Sequence, residues 1–253
     1  MIIAVINTKG GSSKSTVAFQ VVASMFLYQK KSVKLIEFDD ENRDSETFSN
    51  SKIESAQIEI GNGDDLDNIL RDTLLSDGNK NLVIDVGGNK TTTLIIDGLR
   101  KTRLYRKIDL FIIPMSGGYQ DLINAKKSFE MIKQFNVPTI FALSRVRNPK
   151  RLHFQYGEFF RLFPNEKYFI LTDSDVIDLS RTQKKSVYEI AYDTQTKKAF
   201  EDALDKAFDD NDNKKIGMLS TILQIFDESE IYFNDILKPT FKMINNLIEN
   251  SNG

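Results

Sequence analysis

Eight consecutive residues near the start of the chain, Lys9-Gly10-Gly11-Ser12-Ser13-Lys14-Ser15-Thr16, have the composition of a phosphate-binding loop. Small residues let backbone N–H groups close around oxygen atoms with no side chain in the way. A lysine at the start of the following helix meets the charge of β- and γ-phosphates, and a neighbouring hydroxyl is a ligand for Mg²⁺. Lys14 and Ser15 fit these two roles. The ordinary Walker expression asks for glycine where this chain has Thr8 and Ser13, so the loop departs from it at both positions.

Such a loop needs a buried strand before it and a helix after it. Met1–Ile6 is a short apolar run with β-branched residues, which reads as a strand. From Ser15 to Gln29 the apolar residues Val17, Ala18, Val21, Val22, Met25 and Phe26 recur at helical spacing. Further strands are expected at Val33–Phe38, Leu82–Val86, Leu110–Pro114, Pro138–Leu143 and Tyr168–Leu171, with a helix over Ala125–Phe135. Strands that alternate with helices imply crossover units, so the expected fold is α/β, a mostly parallel sheet with helices on both faces. Between Asp39 and Lys80 the chain is polar, with short helical pieces such as Leu66–Leu75. Asp209–Lys215 (DDNDNKK) reads as a linker. Apolar positions at Leu219, Ile222, Leu223, Ile225 and Phe226, then at Ile236, Leu237, Phe241, Ile244, Leu247 and Ile248, predict two or three amphipathic helices. The division that follows is a nucleotide-binding domain over residues 1–208 and a C-terminal helical extension over 209–253 packed on it.

KGGSSKST resembles the deviant Walker A motif, KGGxxK[ST], of the ParA/MinD family of P-loop ATPases. The resemblance implies that Lys9 reaches across an ATP-bound homodimer to the partner's nucleotide, and that residues 9 to 16 together cradle ATP or ADP. KLIEFDDEN (Lys34–Asn42) is similar to the family's second-strand motif, with Glu37 where the first acid is usually Asp and Asp39 at the second. On that resemblance Asp39 positions the attacking water, joining Lys9 and Lys14 as the catalytic set. LVIDV (Leu82–Val86) looks like the Walker B strand, which implies that Asp85 holds Mg²⁺ through water beside Ser15, with Gly87-Gly88 opening a switch. IIPMSGGYQDL and TDSDVIDLSRTQKKSVYEIA are similar to later family segments, so the likeness runs over roughly residues 1 to 193. The implied activity is slow ATP hydrolysis, stimulated by a partner.

Composition bounds the cargo. The 253 residues carry a formal net charge of −2, and no cysteine, which removes disulfides and Cys-ligated clusters and suits a cytoplasmic protein. No run approaches the roughly 18 apolar residues that span a bilayer, and the final FKMINNLIENSNG lacks the basic face of a membrane-surface helix. Residues from Thr194 onward hold 11 acids and 7 bases, which leaves +2 on the preceding part. Three runs there are basic: Arg100, Lys101, Arg103, Arg106 and Lys107; Arg145, Arg147, Lys150 and Arg151; and Arg181, Lys184 and Lys185. Together they make a candidate DNA-binding face, with the second and third runs as the phosphate contacts. The ParA likeness then implies non-specific DNA as one partner and a hydrolysis-stimulating centromere-binding or adaptor protein as another. The alternatives are a family relative that positions a non-DNA cargo, and a metabolic P-loop enzyme acting on a small molecule. The single histidine, His153, and the aromatics Phe154, Tyr156, Phe159, Phe160 and Phe163 read as packing residues on a helix.

Overall fold

The computed structural model describes residues 1–38, 48–60, 65–75 and 81–250. Seven strands form one sheet, in the order β3-β2-β4-β1-β5-β6-β7: β1 (Ile2–Val5), β2 (Val33–Phe38), β3 (Glu54–Ile58), β4 (Asn81–Val86), β5 (Leu110–Met115), β6 (Thr139–Val146) and β7 (Tyr168–Thr172). Every neighbouring pair is parallel. A parallel sheet must be covered on both faces, because each crossover helix lies on one of them. Alternation along β1 shows both faces at work: Ile3 and Val5 point into one core, Ala4 and Ile6 into the other.

The first core is made by helix α1 (residues 14–28) and by the C-terminal helices. The second lies under α2 (Leu66–Leu75), α3 (Asn89–Thr102), α4 (Tyr119–Lys133) and α5 (Leu152–Leu162). Tyr156, Phe159 and Phe163 of the aromatic run are buried there as expected, whereas Phe154 is exposed. After β7 come α6 (Asp175–Gln183), α7 (Val187–Ala191), α8 (Thr194–Asp209) and α9 (residues 213–249).

Among the described residues there is one strand more than the sequence pattern predicts. β3 is an edge strand, paired only with β2 among the described residues, and its residues ESAQI are mostly half-buried, so neither an apolar run nor a strict alternation announces it. The C-terminal end also differs from expectation. The acidic stretch before α9 is a tight turn rather than a linker, with Asp212 capping α9 by accepting from the Lys215 N–H at 3.1 Å. The apolar positions from Leu219 to Ile248 lie on one helix, which widens to a π turn over Phe233–Leu237, where the Lys238 N–H reaches the Phe233 carbonyl five residues back. That re-registration comes just before Pro239, which has no N–H to continue an α-helical ladder. Beyond it, Phe241, Ile244 and Leu247 share a core with Val17–Phe26 of α1.

Candidate nucleotide-binding site

The loop of residues 6–13 leaves the carboxyl end of β1 in the middle of the sheet. The connection from β1 runs over one face to β2, and that from β4 runs over the other to β5. The adjacent ends of β1 and β4 are therefore a topological switch point, where open α/β sheets bind ligands.

Several contacts hold the loop from outside. Asn7 donates to the Pro114 carbonyl at 2.6 Å and accepts from the Lys9 N–H at 3.0 Å. The Thr8 N–H donates to Ser128 Oγ at 3.0 Å. Thr8, at a position where the Walker expression has glycine, is buried and spends its side chain on Asn124 of α4. Thr92 of α3 donates to the carbonyls of Asn7 and Gly87, at 3.1 and 2.7 Å. Within the loop, Ser12 Oγ and Lys14 Nζ both donate to the Lys9 carbonyl, at 3.1 and 2.8 Å. The Lys14 side chain thus folds back over the loop at the start of α1, buried at 8% exposure.

The backbone is unobstructed around the two glycines of the loop. A Cβ built on Gly10 or Gly11 meets nothing within 4 Å, and Gly11 lies in the left-handed region at φ +72°. Gly88 lies against the loop from β4's side: a Cβ there would make an ordinary contact with the Gly10 nitrogen at 3.4 Å. Ser13 also adopts a left-handed conformation, φ 69° and ψ 25°, which explains the preference for glycine at this position. Ser13→Gly is expected to relieve about 1 kcal/mol of backbone strain and to raise the thermal midpoint by about 2–4 °C. Differential scanning calorimetry without nucleotide checks this, and a lowered midpoint would refute it.

On the β2–β4 side, Glu37 and Asp85 are register partners on neighbouring strands, both buried, and line a small cavity with Ser15. One hydroxyl and two carboxylates at a helix N-terminus form an all-oxygen donor set, which suits Mg²⁺. The longer Glu37 thus stands beside Asp85 rather than away from it. Asp39 lies outside the described residues.

Lys9 has a partner that sequence reasoning missed. Its ammonium forms an ion pair with Asp121 in the first turn of α4, with the Lys9 side chain 37% exposed and the Asp121 side chain 4%. Asp121 also accepts from the Ser116 Oγ at 2.7 Å and from the Ser116 N–H at 3.2 Å. Burial alone would push the Asp121 carboxyl up, but the Lys9 ammonium and the Ser116 donors outweigh it and hold the carboxyl below its ordinary value.

The basic runs do not share one face. Arg145, Arg147, Lys150 and Arg151 are exposed at the carboxyl end of β6, on the same edge of the sheet as the loop. Arg100–Lys107 follows α3 back toward the start of β5, at the opposite edge, and Arg100 and Lys101 pair there with Asp97 and Asp67. Lys184 is exposed, whereas Lys185 is half-buried and paired with Asp193 at 2.5 Å. Arg181 reaches toward α1 and donates to Thr16 Oγ1 at 3.4 Å. His153 packs its ring 4.4 Å from that of Phe160, and no group of three or more His, Cys, Asp or Glu side chains is placed to hold a metal ion among the described residues.

No family model matches the sequence, and no curated protein matches it. Solved structures do. A nucleotide-binding protein from Archaeoglobus fulgidus in complex with ADP aligns with a TM-score of 0.52 at 16% identity, over 73% of this chain and 86% of that one. A Borrelia burgdorferi B31 protein assigned to plasmid partition, bound to AMPPNP, aligns at 0.51 and 18% identity, over 71% and 89%. The MinD cell division protein of Aquifex aeolicus aligns at 0.54 and 11% identity, over 77% and 90%. The chain has the fold of the ParA/MinD-type ATPases. On a ParA/MinD-type fold the loop of residues 9–16 lies at the switch point of the sheet, with Glu37 and Asp85 beside it. None of the described helices is long and apolar enough to cross a membrane.

Proposed function

We propose that this protein is a ParA/MinD-type switch ATPase that dimerises on ATP and partitions DNA. One observation carries the reading: an open glycine loop on this fold presents two lysines with different duties. Lys14 is buried behind the loop, whereas Lys9 stands at its mouth. A cation at the mouth suits a phosphate presented from outside, which is what the KGGxxK[ST] resemblance assigns to it.

In this reading the backbone N–H groups of residues 10–16 bind the phosphates, and the dipole of α1 adds to the charge of Lys14. Ser15 and Asp85 would hold Mg²⁺, with Glu37 adjacent, and Mg²⁺ would neutralise phosphate charge. Asp39 orients water for hydrolysis. Lys9 exchanges Asp121 for the partner's nucleotide, and the dimer loosens once the γ-phosphate has left. Hydrolysis is slow without a stimulating centromere-binding or adaptor protein. We further propose that residues 209–253 are an extension of the ATPase domain of residues 1–208; the shared core of α9 and α1 supports this.

Arg145, Arg147, Lys150, Arg151 and Lys184 supply the DNA contacts. Support comes from their exposure and, for the first four, from a position on the nucleotide edge of the sheet. The Borrelia relative's assignment to plasmid partition adds to it. The test is DNA binding against salt with ATP, with ADP and without nucleotide. The expected result is ATP-dependent binding that falls steeply with salt. Arg145→Ala/Arg147→Ala is expected to flatten the logarithmic salt slope by about two. No binding in any nucleotide state would transfer the switch to a non-DNA cargo.

A further inference from the structure

The third basic run divides, and one member has a better assignment than a DNA surface. Thr16 and Gln20 lie four residues apart on α1, close to one full turn in either an α or a π helix, so both face the same neighbour. That neighbour is the turn from α6 to α7. Gln20 is fully buried and grips the turn at two points: its Nε2 donates to Ser180 Oγ at 2.9 Å, and its Oε1 accepts from the Val187 N–H at 2.8 Å. The turn is tied down again where Ser186 caps α7 in a reciprocal box with Glu189. Glu189 also accepts from Ser51 and from the Lys52 N–H, at 2.7 and 2.8 Å.

Arg181 immediately follows the gripped Ser180. With its backbone fixed one turn along α1, its guanidinium comes to Thr16, the last residue of the KGGSSKST motif. Its other contact is Asp178 at 3.0 Å, and both side chains of that pair are well exposed, so the pair is weak and exchangeable. Lys9 and Lys14 occupy the mouth and the back of the loop, whereas Thr16 lies two residues beyond Lys14 on α1.

We infer that Arg181 is a nucleotide-binding residue, contacting the phosphate that lies over Thr16 and that ATP and ADP share. This rests on the nucleotide reading proposed above. A guanidinium facing a phosphate at a partly desolvated mouth forms charge-assisted hydrogen bonds, which Asp178 gives up when the phosphate arrives.

The experiment is equilibrium titration of the full chain with Mg²⁺ and fluorescent ATP or ADP. It compares wild type, Arg181→Ala, Arg181→Lys and the control Lys14→Ala, with each variant's thermal midpoint measured. Arg181→Ala is expected to weaken ATP and ADP alike by about tenfold. Arg181→Lys, which keeps the charge and loses the fork, is expected to fall between it and wild type. An Arg181→Ala protein that binds both nucleotides like wild type, while Lys14→Ala does not bind, would overturn the inference and leave the nucleotide reading standing. So would a loss confined to ATP, which would move the guanidinium to the γ-phosphate. If DNA affinity drops while nucleotide affinity holds, Arg181 belongs to the DNA surface. A wild-type chain that ignores both nucleotides would instead sink the nucleotide reading itself.

Discussion

Lys14→Ala is expected to abolish measurable binding of both ATP and ADP, a loss of more than about a hundredfold. The ammonium is buried at the N-terminus of α1, fixed by its bond to the Lys9 carbonyl at 2.8 Å. There it is held ready for phosphate charge, in surroundings less polar than water. Removing one member of a desolvated charge pair typically costs about 2–5 kcal/mol, which converts to between about thirtyfold and several thousandfold. Here the loss falls in the upper part of that range, because the phosphates have no second buried lysine within the loop. Isothermal titration calorimetry checks it. The protein itself is expected to remain folded, since the side chain removed sits at the first residue of α1, outside the two cores under the sheet. Retained binding of ADP at near wild-type affinity would show that Lys14 does not face a phosphate.

Much of the local structure around the candidate site was legible in the sequence, for a physical reason. The candidate phosphate loop is a local object: its small residues, its lysine and its hydroxyl lie within eight positions, and the flanking strand and helix announce themselves by apolar periodicity. Buried strands such as LVIDV and LFIIP were legible in the same way, because a parallel strand covered on both faces must be apolar throughout. What escaped was non-local or only half-buried. β3 is an edge strand with a polar composition. Asp121 touches Lys9 across 112 positions, and its segment, IIPMSGGYQDL, points only to a strand followed by a helix start. Gln20 reads as one polar residue in an otherwise apolar helix, and its purpose emerges only when Ser180 and Val187 are brought to it. The basic runs misled in the opposite sense. Charge spacing says nothing about which end of the sheet a helix terminus occupies, so Arg100–Lys107 looked continuous with residues that the fold holds at the other edge.

Lys9→Ala is expected to bind ATP yet fail to dimerise, and the Asp121 pair shows how to separate that outcome from damage to the fold. In the single subunit Lys9 neutralises a carboxylate that is 4% exposed. Because the Asp121 carboxyl is held below its ordinary value, the pair stabilises the fold above the unfolded carboxylate pKa, about 3.9. That stabilisation disappears as the pH drops through the lower folded value. Lys9→Ala strands the carboxylate, with Ser116 as its remaining donor among the contacts described. Breaking a fully buried pair costs about 3–5 kcal/mol. With the lysine side chain more than a third exposed, about 1–2 kcal/mol is a better expectation after solvent screening. Lys9→Ala/Asp121→Asn removes the stranded charge as well, and is expected to recover most of the lost stability. It is not expected to recover the dimer, because no cation remains to cross to the partner's nucleotide. Asp121→Asn alone releases Lys9 from its own subunit and is expected to favour the ATP dimer. Size-exclusion chromatography with light scattering, run with ATP and a non-hydrolysable analogue, reads the dimer; thermal midpoints read the stability. A double variant that regains both would mean that Lys9 acts only as the structural counter-ion of Asp121, and the exchange of partners by Lys9 would have to be given up.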